Sequence, residues 1–236
     1  MKTNFKKITI YGLISVLLNY NQLANAETAS ITTASQLPIE FQSAEGRFSE
    51  AIPMWEAHVK GSHEWTKHLS NELDRIGTNI IDVIPSDGST FCPNYKNLSI
   101  QNRKDFWIYL ISVMTKFESN FNPNSTYKEN FKDRNGQYVI SRGLLQISIE
   151  SGNSYGCQLK NAKELHNPLI NLSCGVRILD RWLAHDGRIA GKVNSKWQGG
   201  ARYWSVLRAG NKESYRTIVQ STHNLKICQL HTSLPD

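Results

Sequence analysis

Glu118 is the residue in this sequence best placed to move a proton. It closes an apolar helical run from Phe106 to Phe117 and stands shortly before Pro123. Proline lacks an N–H and disfavours helix at the residue before it, so the chain must leave the helix within a turn of Glu118. At 3.6 residues per turn, Glu118 shares a stripe with Trp107, Ile111 and Met114, while Phe106, Leu110, Val113, Met114 and Phe117 form the neighbouring core face. A carboxylate at the edge of a buried surface loses solvation of its charged form. Its pKa then rises toward the range useful to a general acid at neutral pH. The plainer alternative is a solvated glutamate at a helix end. A carboxylic acid that donates a proton is commonly partnered by a second carboxylate acting as base or nucleophile. Glu129 and Asp133 are the candidates, in a loop with Lys128, Lys132 and Arg134 that is expected to draw them into surface ion pairs. His63, Glu64 and His68 do not make a metal site: the histidines are five apart, off one helical face, and the H-E-x-x-H spacing is absent. No metal and no cofactor is expected.

The elements that must hold Glu118 are readable around it. Ser99 is a suitable N-cap for a helix running to about Ser119. Asn135-Gly136, between Phe131 and Tyr138-Val139-Ile140, is a strong hairpin signal. After Ile147 the pattern suggests alternating turns and helices: a turn at Tyr155-Gly156-Cys157, and a helix opened by Asn167-Pro168 that reaches Leu183. Gly199-Gly200 then precedes an aromatic-rich helix start from Ala201 to Leu207. Upstream, Ser49 to Ile84 reads as helical, with Trp65, Leu69, Leu73, Ile76 and Ile80 on one face and turn chemistry at Pro85-Ser86-Asp87-Gly88. These helices form either an accessory module or a layer packed on the rest.

The first 26 residues read as a cleavable signal peptide: Lys2, Lys6 and Lys7, the apolar run Ile8 to Leu18, then Ala24-Asn25-Ala26. That run is too short to span a bilayer, so no membrane span is expected in the mature chain. The expected location is the periplasm or the medium. In an oxidising compartment Cys92, Cys157, Cys174 and Cys228, none in a C-x-x-C pair, are expected to form disulfides. Three pairings are open; Cys157 with Cys174 and Cys92 with Cys228 is the favoured one. The formal charge of +7 includes the three signal-peptide lysines, which leaves +4. Residues 177 to 226 hold ten Lys or Arg against Asp180, Asp186 and Glu213. Such a surface is a solvated helical face or one that attracts anionic polymers. No nucleic-acid motif accompanies it.

Phe117-Glu118-Ser119, Asn122-Pro123, Gly143-Leu144-Leu145-Gln146-Ile147, and Asn167-Pro168 with Asn171 and Gly175 together resemble the soluble lytic transglycosylase (SLT) family, over roughly residues 100 to 208. The resemblance implies a mainly α, lysozyme-like α+β domain related to goose-type lysozyme, with a small β-hairpin beside the cleft and an N-terminal helical extension. The expected organisation is a signal peptide over 1–26, a leader and helical extension over 27–95, and the catalytic domain over 96–236. The implied activity is cleavage of the MurNAc–GlcNAc β-1,4 bond of peptidoglycan glycan strands by one glutamate, Glu118, leaving 1,6-anhydroMurNAc ends. By position, Ser119 would help hold the carboxylate, Gly143, Leu144 and Gln146 would line the N-acetyl pocket, and Tyr203 would contact substrate. Two departures from the family stand out: the loop between Pro123 and Gly143 is long, and Trp204 occupies the place where Asn is usual. The enzyme is expected to act as a monomer. The rival readings are a hydrolase of the same fold (goose-type lysozyme or chitinase) using Glu129 or Asp133, and a non-catalytic wall-binding protein.

Overall fold

The computed structural model describes residues 50–229; the proposed signal peptide and most of the leader lie outside the described residues. Its helices are α1 (Met54–His58), α2 (His63–Ile76), α3 (Thr78–Asp82), α4 (Gly88–Phe91), α5 (Ile100–Ser119), α6 (Ile149–Ser154), α7 (Pro168–Asp186) and α8 (Lys212–His223). Two antiparallel hairpins interrupt them, β1 (Thr126–Lys132) with β2 (Tyr138–Arg142) and β3 (Ala190–Val193) with β4 (Lys196–Gly199). Among the described residues no helix is long and apolar enough to cross a membrane.

Helix α5 is the axis of the molecule. Ser99 caps it, its hydroxyl accepting from the Asn102 amide at 3.2 Å. At the far end Asn120 takes the left-handed conformation (φ 50°) and donates its amide back to the Lys116 carbonyl, while the Phe121 amide donates to that of Thr115. Every residue from Phe106 to Thr115 is buried, Ser112 and Thr115 included. The single apolar stripe expected from the sequence is therefore too narrow a description: α5 is enclosed on all sides. Its polar residues are satisfied locally, Ser112 by donating to the Tyr109 carbonyl (2.6 Å) and accepting from the Met54 amide (2.9 Å), Thr115 by donating to the Ser112 carbonyl (2.7 Å).

The N-terminal helices are part of that enclosure. Trp55, Leu69, Leu73 and Ile80 are fully buried. The helical face read through Ile80 is broken by Gly77, which separates α2 from α3. Asn79 donates its amide and its side chain to Asp180 of α7, both at 2.8 Å. His68 bonds Ser173 of α7 at 2.8 Å, so this histidine is a half-buried tie rather than a surface residue. The buried Asp87 accepts the Ile189 and Ala190 amides at 2.8 and 3.0 Å. The disulfide Cys92–Cys228 joins this layer to the C-terminal turn, and Cys157–Cys174 pins the turn after α6 to α7.

The second hairpin was not expected: the sequence suggested only turns and helices after Ile147. Its turn residues, Asn194 and Ser195, both have positive φ (46° and 62°), as a two-residue hairpin of the type I′ class requires. The segment from Ala201 to Leu207 also differs from its reading as a helix start, forming two short 3-10 turns, Gly200–Arg202 and Ser205–Leu207.

Loss of the long-range Cys92–Cys228 bridge releases a loop with a sequence separation of 136. The double variant Cys92→Ser/Cys228→Ser should lose about 2–5 kcal/mol of unfolding free energy in urea titrations under non-reducing conditions. The native protein, denatured without reductant, should show no titratable thiol.

Candidate active site

The cleft is built where α5 ends. Asn120 and Phe121 both have positive φ (50° and 62°), reversing the chain directly after Glu118 and Ser119. For a bulky residue such as Phe121 this conformation is costly, and the burial of its ring holds it in place. Ser119 donates to the carbonyls of Leu144 (3.0 Å) and Thr115 (3.2 Å), and so binds the helix end to the loop after β2 rather than holding the Glu118 carboxylate. That loop is fixed from below by Asn171 of α7. Its side chain accepts the Leu145 amide at 2.9 Å and donates to the Leu165 and Arg142 carbonyls at 2.9 and 3.0 Å. Gly143 (φ 75°) could carry no side chain: a Cβ would lie 2.1 Å from the Leu165 carbonyl oxygen. Gly175 lets Leu145 lie against α7 for the same reason, with 2.3 Å between a Cβ there and the Leu145 methyl.

The space so enclosed is a cleft of about 930 Å³ whose walls include Glu118, Glu129, Gln146, Tyr203 and Arg208. That is the size of a ligand-binding cleft. Glu118 is half-buried, and among the described residues no hydrogen bond or cation supports its charge. Burial, with a smaller contribution from the Glu129 charge, pushes its pKa up to about 8. Glu118 therefore carries its proton at neutral pH, which makes it a donor.

Glu129 enters the cleft from β1, where Ser141 of β2 donates to it at 2.7 Å. The ion pairs expected for the loop acids do not form. Lys128 and Lys132 instead lie over the Tyr138 ring, 4.0 and 5.2 Å from its centre. Asp133 accepts the Asn135 and Gln137 amides, both at 2.9 Å, and so shapes the hairpin turn. Of the two acids that the sequence could not rank, Glu129 faces Glu118 and Asp133 is occupied by backbone.

Gln146, in a left-handed conformation (φ 48°), donates to the Gly143 carbonyl at 2.8 Å and lines the cleft floor. Leu144 is fully buried, so its side chain faces the core and only its carbonyl serves the site, through Ser119. Tyr203 accepts from Ser151 at 2.7 Å, and burial raises its phenol to about 12, which keeps it a neutral hydrogen-bonding group. Trp204 is buried, its indole N–H donating to the Leu145 carbonyl at 2.9 Å, so it braces the same loop from above. Ser141 and Ser151 escaped the sequence reading. Only the pairing of Ser141 with Tyr127 across the hairpin, one residue from the site, could have suggested the first.

The family model for the transglycosylase SLT domain matches residues 97–210. The solved structure of Bd0314 DslA (wild type, form 2) is 58% identical, with a TM-score of 0.75; the match covers 77% of this chain and 100% of that one. The chain belongs to the SLT family. Two Glu→Gln variants of Bd0314 DslA match equally well, at 57% identity and TM-score 0.75 with the same coverage, and their changed glutamates stand eleven positions apart in that protein. No curated protein matches the chain. SLT membership makes the action one of the lytic transglycosylase type, on peptidoglycan, in a mainly helical lysozyme-like fold; the two disulfides fit an extracytoplasmic protein.

A donor that is kept protonated by burial weakens the SLT fold that holds it. The folded pKa of Glu118, about 8, lies above its ordinary value of 4.5. Stability is then fully present below pH 4.5 and declines as pH rises toward 8, because the unfolded chain ionises first. Glu118→Gln should therefore raise unfolding free energy at pH 8 by roughly 1–3 kcal/mol and leave it unchanged near pH 4. Urea titrations of both proteins at the two pH values measure the difference.

Proposed function

We propose that this protein is an exported enzyme that cleaves the MurNAc–GlcNAc β-1,4 bond of peptidoglycan with Glu118 as the proton donor. The Glu118 carboxyl, which lines an SLT cleft and is kept protonated there by burial, with no ion pair or hydrogen bond of its own among the described residues, is the observation that carries this reading. The donor protonates the leaving glycosidic oxygen as oxocarbenium character develops at the anomeric carbon. Gln146, the Gly143 backbone and Tyr203 are the candidates to hold the sugar's N-acetyl and hydroxyl groups. Export rests on the basic, apolar and small-residue pattern of residues 1–26 together with the two disulfides.

The second half of the reaction has two routes. In the first, ionised Glu118 takes the proton of the sugar 6-hydroxyl, and the ring closes to 1,6-anhydroMurNAc. The SLT family match favours that route. In the second, Glu129 holds a water against the anomeric carbon and the product is hydrolytic. Glu129 has the orientation for this, anchored by Ser141 and unpaired with its neighbouring lysines. Glu118 and Glu129 also stand eleven residues apart, the spacing of the two glutamates changed in Bd0314 DslA. The placement of Glu129 supports the two-carboxylate route, and the expected pairing of the loop acids with lysines no longer argues against it.

Digestion of purified sacculi with mass spectrometry of the released muropeptides separates the routes. Hydrolysis leaves reducing ends with full water content; ring closure leaves ends lighter by one water. Glu118→Gln should lower the rate by about 100- to 10,000-fold on either route. Glu129→Gln should cost a comparable factor with Asp133→Asn keeping most activity; retention of activity in Glu129→Gln together with anhydro ends would establish the single-glutamate route instead.

The pH dependence carries a further test. A donor must be protonated, so the rate should hold below pH 8 and fall as pH climbs through the Glu118 pKa of about 8. Removing the Glu129 charge should move that alkaline limb to lower pH, though still above the ordinary carboxylate range, because burial is the larger cause. Residual activity of Glu129→Gln followed across pH 5–10, or direct titration of the Glu118 carboxyl by NMR, measures the displacement.

A further inference from the structure

One wall of the cleft ends in a cation that the cleavage chemistry does not use. Arg208 lines the cleft, and its guanidinium is held by protein carbonyls: Nε donates to Ala201 at 2.8 Å and Nη2 to Arg202 at 3.3 Å. It also lies 5.5 Å from the centre of the Trp197 ring. Among the described residues no carboxylate pairs with it. That sets it apart from its neighbours, since Arg202 is paired with Asp186 at 2.7 Å and Arg188 approaches Asp87 at 4.0 Å. A guanidinium has five N–H donors, so donors remain unmatched on a group whose position is already fixed.

The second hairpin extends this feature. Trp197 stands on β4, paired with Lys192 of β3, whose ammonium lies 5.1 Å from the same ring. Lys192 and Lys196 are exposed. Nearby acids offer these cations nothing: Asp186 is bound to Arg202, His185 and the Gly199 amide, and Asp180 to Asn79 and Ile80. A rigid fork inside the cleft, with Lys192 just beyond it on the same ring, has the arrangement that recognises a carboxylate.

We propose that Arg208, with Lys192 across the Trp197 ring, forms a carboxylate-binding subsite at this end of the cleft that holds the stem peptide of the bound glycan strand. The inference rests on peptidoglycan being the substrate. Peptide carboxylates are the anionic groups that such a strand presents at regular intervals, because the lactyl carboxyl of each peptide-bearing MurNAc is taken up in the amide bond to the peptide. The subsite would favour strands that still carry peptides and would weaken with salt, as exposed charge contacts do.

The test compares peptide-bearing glycan strands with the same strands stripped of peptide by an amidase, which leaves a free lactyl carboxylate on each MurNAc, so the control keeps a charge at the sugar and lacks only the peptide. Binding is measured with the Glu118→Gln protein, and cleavage with otherwise wild-type protein. Peptide-bearing strands should bind about tenfold more tightly, a difference of about 1.4 kcal/mol, and the preference should shrink between 0.05 and 0.5 M salt. Arg208→Gln should bring the ratio of the two binding constants close to one and should raise KM on peptide-bearing strands without a matching fall in kcat. Should Arg208→Gln fail to fold, the exposed Lys192→Gln replaces it, with an expected two- to fivefold loss confined to peptide-bearing strands. Equal binding of both strands by the parent protein, or an unchanged ratio in the folded variants, overturns the proposal. So does tighter binding of a phosphodiester wall polymer than of the peptide-bearing strands. Absence of cleavage together with a clear peptide preference in binding would instead remove the enzymatic reading and leave the subsite standing.

Discussion

The cleft depends on one buried amide. Asn171 is fully buried, and its side chain satisfies the Leu145 N–H and the Arg142 and Leu165 carbonyls at once. Those three groups belong to the loop, the end of β2 and the turn before α7. Removing the amide would leave buried backbone groups unpaired, at about 1–3 kcal/mol for each. It would also release the loop that anchors Ser119, and with it the end of α5. Glycines at 143 and 175 follow from the same constraint, because the loop lies against α7 too closely for a methyl group at either place.

From that fixed loop the electrostatics of the site follow. The turn after Glu118 forces the carboxylate into a space walled by the hairpin, with no donor aimed at it, so its neutral form prevails at physiological pH. The hairpin brings a charge of the same sign, Glu129, near enough to raise the Glu118 pKa further. That charge adds to burial in keeping the Glu118 carboxyl protonated. Lys128 and Lys132 of the same hairpin do not pair with Glu129 but lie over Tyr138.

Glu118 and the helix that carries it were legible in the sequence because a stop signal, Pro123, follows a long apolar run. The hairpin was legible from Asn135-Gly136. What could not be read was direction. Alternation along β1 places Glu129 toward the cleft only once the register with Ser141 is known, and the irregularity between Lys128 and Lys132 moves both lysines onto Tyr138. The extent of burial was also hidden. A helix wrapped on every side shows no clean stripe, and the N-terminal helices that complete its enclosure are distant in sequence. The β3–β4 hairpin was missed because its turn is Asn-Ser rather than Asn-Gly, and a serine in the left-handed region is a weaker signal. Leu144 and Ser119 brace the site through the Leu144 carbonyl and the Ser119 hydroxyl that donates to it, a contact that residue type does not reveal.

The bridge between Cys92 and Cys228 encloses both hairpins, all the cleft residues and the greater part of the core in one covalent ring. A protein acting among proteases is most often cut at an exposed tip, and the Asn135-Gly136 turn is such a tip. A single cut there opens the ring into one longer, still continuous molecule, in which the piece that carries Glu118 and Glu129 stays attached through the bridge to the piece that carries Gln146 and Tyr203. Dissociation of the halves would require a reductant as well as a protease. The bridge thus makes damage at the most vulnerable loop a local event, and lets a nicked enzyme keep its two cleft walls together.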